Sequence, residues 1–159
     1  MAFLSKRTRY VLHGLAFLAT APPDEVVPFD KILRYLRDYS QKLTLSPSYI
    51  AKMFQEISRA GFAHAIPGPK GGYRLARDPE DISLIEIIET LDGPILSECC
   101  LLSVGPCPQT ATCGIRKIFQ KAELSYYQFF ENETVASLAK GMTFPDLSSD
   151  SASSKTKTS

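Results

Sequence analysis

The sequence predicts a mainly α-helical chain with one small β-hairpin, and two observations carry that reading. Three amphipathic patterns of helical period follow one another between residues 5 and 60, and two short strand-like runs then flank a glycine- and proline-rich hexapeptide. A third observation adds to them: a long apolar stripe begins at Gly114 and predicts a further helix whose face needs a partner surface.

The first helix is predicted over residues 5–20, where Tyr10, Val11, Gly14, Leu15 and Leu18 share a face and Ser5 is suited to cap the start. Residues 21–28 form a proline-rich turn. Phe29, Ile32, Leu33, Leu36 and Tyr39 then make a second amphipathic helix, with Lys31, Arg34 and Arg37 between them, and a linker over residues 41–45 follows. Ser46-Pro47 predicts the third helix start, because serine can cap and proline is pre-shaped for a first helical position whose amide has no partner anyway. Gly61 predicts its stop. Ile50, Met53, Phe54 and Ile57 form the apolar stripe, which leaves Ser48, Tyr49, Lys52, Gln55 and Arg59 on other faces, residue types able to meet phosphates and base edges.

Residues 62–66 and 73–76 read as strands joined by Pro67-Gly68-Pro69-Lys70-Gly71-Gly72. Helix, turn, helix and a hairpin with a basic tip is the order of a winged helix-turn-helix. In that arrangement the helix from Pro47 enters the major groove, and the tip approaches the neighbouring backbone or minor groove. Ser83 to Glu86 matches a capping box that opens a helix through Ile85, Ile88 and Leu91, ended by Asp92-Gly93-Pro94. After a cysteine-bearing loop, Ile115, Ile118, Phe119, Ala122, Tyr126, Phe129 and Phe130 line the long helix, read as a dimerisation helix. A short helix is expected over 134–139, and the Ser/Thr/Lys/Asp-rich residues 145–159 read as a disordered tail. The expected organisation is a DNA-binding unit over 1–80, a connecting helix and loop over 81–98, the cysteine loop over 99–113, the dimerisation helix and C-terminal segment over 114–144, and the tail.

With 159 residues, 44% hydrophobic and 22% charged, the chain suits one compact domain with added elements. No apolar run approaches the roughly 18 residues of a membrane span, and no cleavable leader pattern is evident, so a cytoplasmic protein is expected. The net charge of +1 hides an asymmetry: residues 1–80 hold twelve basic and seven acidic side chains, and residues 81–159 six and ten. A basic half beside an acidic half suggests a polyanion partner for the first. All four cysteines, Cys99, Cys100, Cys107 and Cys113, fall in one short segment. In a reducing compartment such clustering points to metal binding or redox work more than to disulfides. There is no phosphate-binding loop, nucleophile elbow, HExxH or CxxC, and the chain is therefore not read as an enzyme.

Taken together, Ser5-Lys6, Arg9-Tyr10, Ser46-Pro47-Ser48-Tyr49-Ile50, Gly68-Pro69-Lys70-Gly71-Gly72-Tyr73-Arg74-Leu75-Ala76, Ile82-Ser83-Leu84, Ile87-Ile88, Leu91-Asp92-Gly93-Pro94 and the cysteines resemble the IscR/NsrR-type regulators. Those are dimeric winged-helix transcription factors that often carry an iron-sulfur cluster. The resemblance implies that Ser46, Ser48, Tyr49 and Lys52 open the recognition helix, with Arg59 near its end, and that Lys70, Gly71, Gly72 and Arg74 belong to the wing. Glycines there would let the backbone approach a phosphate or pass through positive φ, or would serve only the turn. It further implies that Cys100, Cys107 and Cys113, with six and then five residues between them, ligate a cluster of 2Fe-2S or 4Fe-4S type. The chain departs from the pattern at the fourth ligand. Arg116 stands where some relatives have a histidine, and Arg9 where others have an acid. Cys99, a distant residue, a small ligand or an open position remain as alternatives. His13 and His64 are read as structural, and about half a dozen extra residues lie between Ile32 and Ser46 relative to the family pattern. The leading expectation is a homodimeric, cluster-sensing regulator that binds double-stranded DNA; the alternative is one that uses zinc or a cysteine thiol switch.

Overall fold

The computed structural model describes residues 4–40, 46–96, 100, 105–106 and 112–144, so the expectations for 41–45, Cys99, Cys107 and the tail lie outside the described residues. The element order is α1 (Lys6–Leu18), α2 (Phe29–Ser40), α3 (Pro47–Arg59), β1 (Ala63–Ile66), β2 (Gly72–Leu75), a 3-10 turn at Pro79–Asp81, α4 (Leu84–Asp92), α5 (Gly114–Phe130) and α6 (Val135–Lys140). This is the mainly helical chain with a two-stranded antiparallel hairpin that the sequence predicts.

Helix α1 forms the centre of the fold. Its start is fixed as expected, the Ser5 hydroxyl accepting the Thr8 amide at 3.1 Å. Val11, Leu15, Ala16 and Phe17 are wholly buried, and α2, α3, α4 and α6 all pack on this one helix. Gly14 is required by that packing: a Cβ there would lie 2.5 Å from Cζ of Phe54 on α3. A second tie between the same helices is the Arg7–Glu56 ion pair at 2.7 Å.

Helix α3 begins at Pro47, with Ser46 in the N-cap position, but the serine does not cap with its hydroxyl. Its Oγ lies 2.6 Å from Ser48 Oγ instead. The far end is a Schellman turn: Gly61 takes φ +82°, the Phe62 amide donates to Ile57 O at 3.0 Å and the Gly61 amide to Ser58 O at 3.1 Å. Phe62 therefore belongs to the helix exit and is buried, and β1 starts one residue later than the pattern suggested.

The hairpin pairs Ala63 with Leu75 through Ile66 with Gly72. Its base is clamped by a contact that joins distant parts of the chain: Val27, in the turn before α2, exchanges both backbone hydrogen bonds with Tyr73, at 2.8 and 2.9 Å. The Tyr73 ring meets Phe54 edge-on at 5.0 Å, and burial raises its hydroxyl pKa. The wing base and α3 are thus seated on the same aromatic side chains.

The capping box expected at Ser83–Glu86 does not form. Ser83 makes no side-chain cap, and Glu86 instead takes both of its short contacts from Arg77, at 2.9 and 3.0 Å, while that guanidinium lies 5.5 Å over the Phe62 ring. A charged partner nine residues back outcompetes the local backbone here. Ser83 is held by a two-residue bridge to Thr134, in which the Leu84 amide donates to Glu133 O and the Val135 amide to Ile82 O, both at 2.9 Å. The capping box lies instead at the start of α6, where the Ser137 amide donates to Thr134 Oγ1 and the Thr134 amide to Ser137 Oγ. Helix α4 ends at Gly93, φ +91°, and Asp92 reaches back to accept the Ser5 amide at 3.0 Å. Burial pushes the Asp92 carboxyl up, but hydrogen bonds from Ser5 and Thr8 and the charge of Arg7 outweigh it and leave the pKa lowered.

Helix α5 rests on α4 alone among the larger packing contacts, across a cleft of about 370 Å³ whose walls include Ile88, Pro94, Ile95, Phe119 and Tyr126. Away from the cleft, Ile115, Ile118 and Phe129 are exposed, with Ile118 at 69% and Phe129 at 73%. Among the described residues no helix is long and apolar enough to cross a membrane.

Candidate nucleic-acid interface and cysteine segment

The recognition-type helix divides cleanly into two sides. Ile50, Met53, Phe54 and Ile57 are buried, whereas Ser46, Ser48, Tyr49, Lys52, Gln55 and Arg59 are exposed. At 100° per residue, Ser48, Lys52, Gln55 and Arg59 fall within an arc of about 60°, a single polar track along the helix, with Tyr49 beside its start. The track exists because the apolar residues recur at three- and four-residue intervals and pin the other side to α1 and the wing base.

At the hairpin tip the Gly71 amide donates to Gly68 O at 2.9 Å, closing a turn with Pro69 and Lys70 at its corners. Lys70 is exposed there. Gly68 takes φ +102°, but Gly71 and Gly72 do not adopt positive φ. Crowding is what demands glycine at the pair. A Cβ at Gly71 would meet Ile66 O at 2.2 Å, and one at Gly72 would meet Val27 O at 2.1 Å. Gly71 therefore serves the tight tip of the hairpin itself, and Gly72 the close approach of the hairpin to the turn before α2.

The cations of this half differ in their engagement. Arg7, Arg74 and Arg77 are held by Glu56, Asp24 and Glu86 respectively. Among the described residues, Lys52, Arg59 and Lys70 take part in no ion pair. Sequence reasoning placed Arg74 with the wing contacts but gave no sign of its carboxylate partner, because Asp24 is fifty residues away in the chain.

Of the four cysteines, Cys100 and Cys113 are described, and both are half-buried. The Cys100 amide donates to Gly105 O at 2.8 Å. Cys113 is the N-cap of α5, and its Sγ accepts the Arg116 amide at 3.4 Å. A sulfur at the positive end of a helix is electrostatically suited to carry negative charge. The side chain of Arg116 is almost fully buried and bonds Glu123 at 2.9 Å. Arg116 is thus a fixed cation three residues after Cys113, and a guanidinium cannot ligate a metal. Among the described residues no three His, Cys, Asp or Glu side chains stand together as a metal site.

The two histidines lie apart from the cysteines in role. His13 is half-buried against the Tyr39 ring at 4.3 Å, with Nδ1 3.2 Å from the Tyr35 hydroxyl, and burial lowers its pKa. Burial, and after it the charge of Tyr39, push the Tyr35 hydroxyl up to about 12. His64 sits exposed on β1, opposite Arg74.

Comparison with known proteins agrees with this geometry. The chain is 28% identical over 138 residues to the HTH-type transcriptional regulator NsrR of Bacillus subtilis, covering 86% of this chain and 90% of that one. It is 29% identical over 133 residues to NsrR of Bacillus licheniformis, covering 83% and 88%. Among solved structures, CymR, the global cysteine regulator of B. subtilis, superposes with a TM-score of 0.69 at 23% identity, covering 90% of this chain and all of that one. IscR of T. potens gives 0.66 at 21% identity, covering 88% of each. The model of the Rrf2 family, described as iron-dependent transcriptional regulators, matches residues 4–141, and the chain belongs to that family.

Proposed function

We propose that this Rrf2-family regulator acts as a homodimer that binds double-stranded DNA through α3 and the wing and senses its signal through an iron-sulfur cluster held by Cys100, Cys107 and Cys113. The observation that carries the DNA assignment is the alignment of Ser48, Lys52, Gln55 and Arg59 on one exposed track, with Lys52, Arg59 and Lys70 outside the ion pairs that hold Arg7, Arg74 and Arg77. Ser46 and Tyr49 belong to the same surface. Gly71 and Gly72 contribute by letting the hairpin seat closely, and Arg74 contributes its charge. Each lysine or arginine that meets a phosphate displaces condensed counterions and so strengthens binding at low salt.

The second copy is the occupant assigned to the outer face of α5. Ile115, Ile118 and Phe129 recur at helical spacing there, large apolar side chains left in water on a helix whose main packing partner is α4. A two-fold axis pairs the same stripe with itself and presents two α3 helices to one palindromic site.

For the cofactor, the donor set suits iron or another thiophilic metal. Cys113 caps a helix with its sulfur, Cys100 lies half-buried with its amide bonded to Gly105 O, and the family is described as iron-dependent. When bound, a cluster of 2Fe-2S or 4Fe-4S type would supply a centre that oxidation or small reactive gases alter. The residues of the chain do the rest: Arg116 donates to the Cys113 sulfur and anchors the start of α5 through Glu123. The burial of Arg116 at the nitrogen-ligand place favours a second reading as well, in which the thiols themselves, or zinc, form the sensor. Anaerobic reconstitution with iron and sulfide distinguishes the two. The expected result is visible iron-sulfur absorption with matching iron and sulfide content, which Cys100→Ala, Cys107→Ala or Cys113→Ala each abolish and Cys99→Ala affects less. A wild-type protein that stays colourless and iron-free after this treatment overturns the cluster assignment.

A further inference from the structure

Asp24 stands out in the turn between α1 and α2. It is non-glycine in the left-handed region, at φ +69°, its side chain is 85% exposed, and its carboxylate is ion-paired to Arg74 on β2. A side chain held in that backbone conformation is uncommon and costs energy, and Asp and Asn are the residues that tolerate it best. The turn is not free to drift, because Val27, three residues on, is bridged to Tyr73 next to Arg74. The wing and the turn are therefore docked so that the carboxylate is presented to the guanidinium.

We propose that Asp24 is a built-in competitor for DNA phosphate at Arg74: it holds the guanidinium in the unbound protein and gives it up when the wing meets the duplex. The inference rests on the assignment of the wing as a DNA contact. Its chemistry is simple exchange. A carboxylate and a phosphate both accept from an arginine fork, so the cation is satisfied in either state, and the free energy of binding is reduced by whatever the internal pair is worth. Both partners are solvent-accessible, the Arg74 side chain at 33%, so that worth is in the range of surface pairs, about 1.4- to 5-fold in affinity. Asp24 thereby lowers affinity for DNA in general, and a duplex must offer a phosphate at the right place to regain it. Arg77 is outside this exchange, since it is tied to Glu86 and lies over Phe62.

The test is a double-mutant cycle on the full-length chain, read by fluorescence anisotropy with a labelled random-sequence DNA duplex over a range of salt concentrations. Asp24→Asn keeps the side-chain shape and the tolerance for left-handed backbone while removing the charge. It is expected to tighten binding about 2- to 5-fold in the Arg74 protein and to have a smaller effect in an Arg74→Ala background. Arg74→Ala alone is expected to reduce the salt slope by about one unit. Equal tightening in both backgrounds shows that Asp24 acts only by general repulsion, and weakened binding by Asp24→Asn shows that the pair is a buttress for the wing; either outcome overturns the inference. Lys70→Ala tests the underlying wing assignment separately, since it lowers affinity and slope if the wing contacts DNA whatever Asp24 does. Thermal melting of each variant confirms that the fold is kept.

Discussion

Gly72→Ala is expected to lower the stability of the fold by about 2–3 kcal/mol. The added Cβ would stand 2.1 Å from Val27 O, 2.7 Å from Val27 C and 2.9 Å from Pro28 Cα, all of them backbone atoms that no rotamer change can clear. The turn before α2 must then move off the hairpin. That movement breaks the two hydrogen bonds between Val27 and Tyr73, each worth about 0.5–1.5 kcal/mol net, and exposes part of two buried side chains at a cost of about 1 kcal/mol. The reduced backbone freedom of alanine in the unfolded chain returns roughly 0.4–1 kcal/mol. Urea unfolding followed by circular dichroism should show a midpoint lower by about 1–1.5 M at an unchanged slope of about 2 kcal/mol per molar. Gly114→Ala is the matched control, because nothing lies within 4 Å of its Cβ position and its φ is not positive, so its stability should stay within about 0.5 kcal/mol of wild type and its midpoint within about 0.25 M. If the two variants unfold together, the wing is not clamped as described, and the glycine pair owes its presence to something other than packing.

Lys52→Ala and Lys70→Ala should each weaken binding to a random-sequence duplex and reduce the salt slope by about one unit, and unchanged slopes for both would remove α3 and the wing from the interface. Ile118→Asp combined with Phe129→Asp should convert dimers to monomers in sedimentation at micromolar concentration and weaken DNA binding with them; a monomeric wild type refutes the assignment of the α5 face. His13 gives a pH dependence whose sign follows from burial. Burial holds its folded pKa below the ordinary histidine value of 6.5, so the unfolded chain binds the proton more readily, and stability should fall as pH drops below 6.5 and level off once the folded ring is itself protonated. His13→Gln should flatten that part of the melting-temperature profile, and an unaltered profile would place the titration elsewhere.

The parts legible in the sequence were those whose cause is local. Ser5, Pro47, Gly61 and Gly93 each act on the few residues beside them, so helix limits could be read from identity and position. The parts that were not legible depend on pairings outside the three- and four-residue reach of helix-end rules. Glu86 fits a capping box until Arg77 is found beside it, and Ser83 fits a capping serine until Thr134 holds its backbone. The box at Thr134 escaped notice because serine, not glutamate or glutamine, fills the third position. At the candidate site, the exposed track on α3 follows directly from its apolar period. The Asp24–Arg74 pair and the steric need for Gly72 do not, since both arise where Val27 meets β2.

The hydrogen bond from the Ser5 amide to Asp92 gives α1 the character of a lever. One end of that helix is fastened to the last residue of α4, the point from which the chain departs toward the cysteines. Further along, Gly14 rests against the Phe54 ring as a fulcrum. Nine residues of helix separate Ser5 from Gly14, about 13 Å, so a displacement of roughly 1 Å at Asp92 that carried Ser5 with it would tilt α1 by about 4°. Because Glu56 of α3 is ion-paired to Arg7 on the same arm, that tilt pulls on the recognition-type helix directly rather than through intervening layers. The end of α4 and helix α3 are in this sense separated by one rigid rod, and the stiffness of α1 sets how much of a displacement at Asp92 reaches the exposed face of α3.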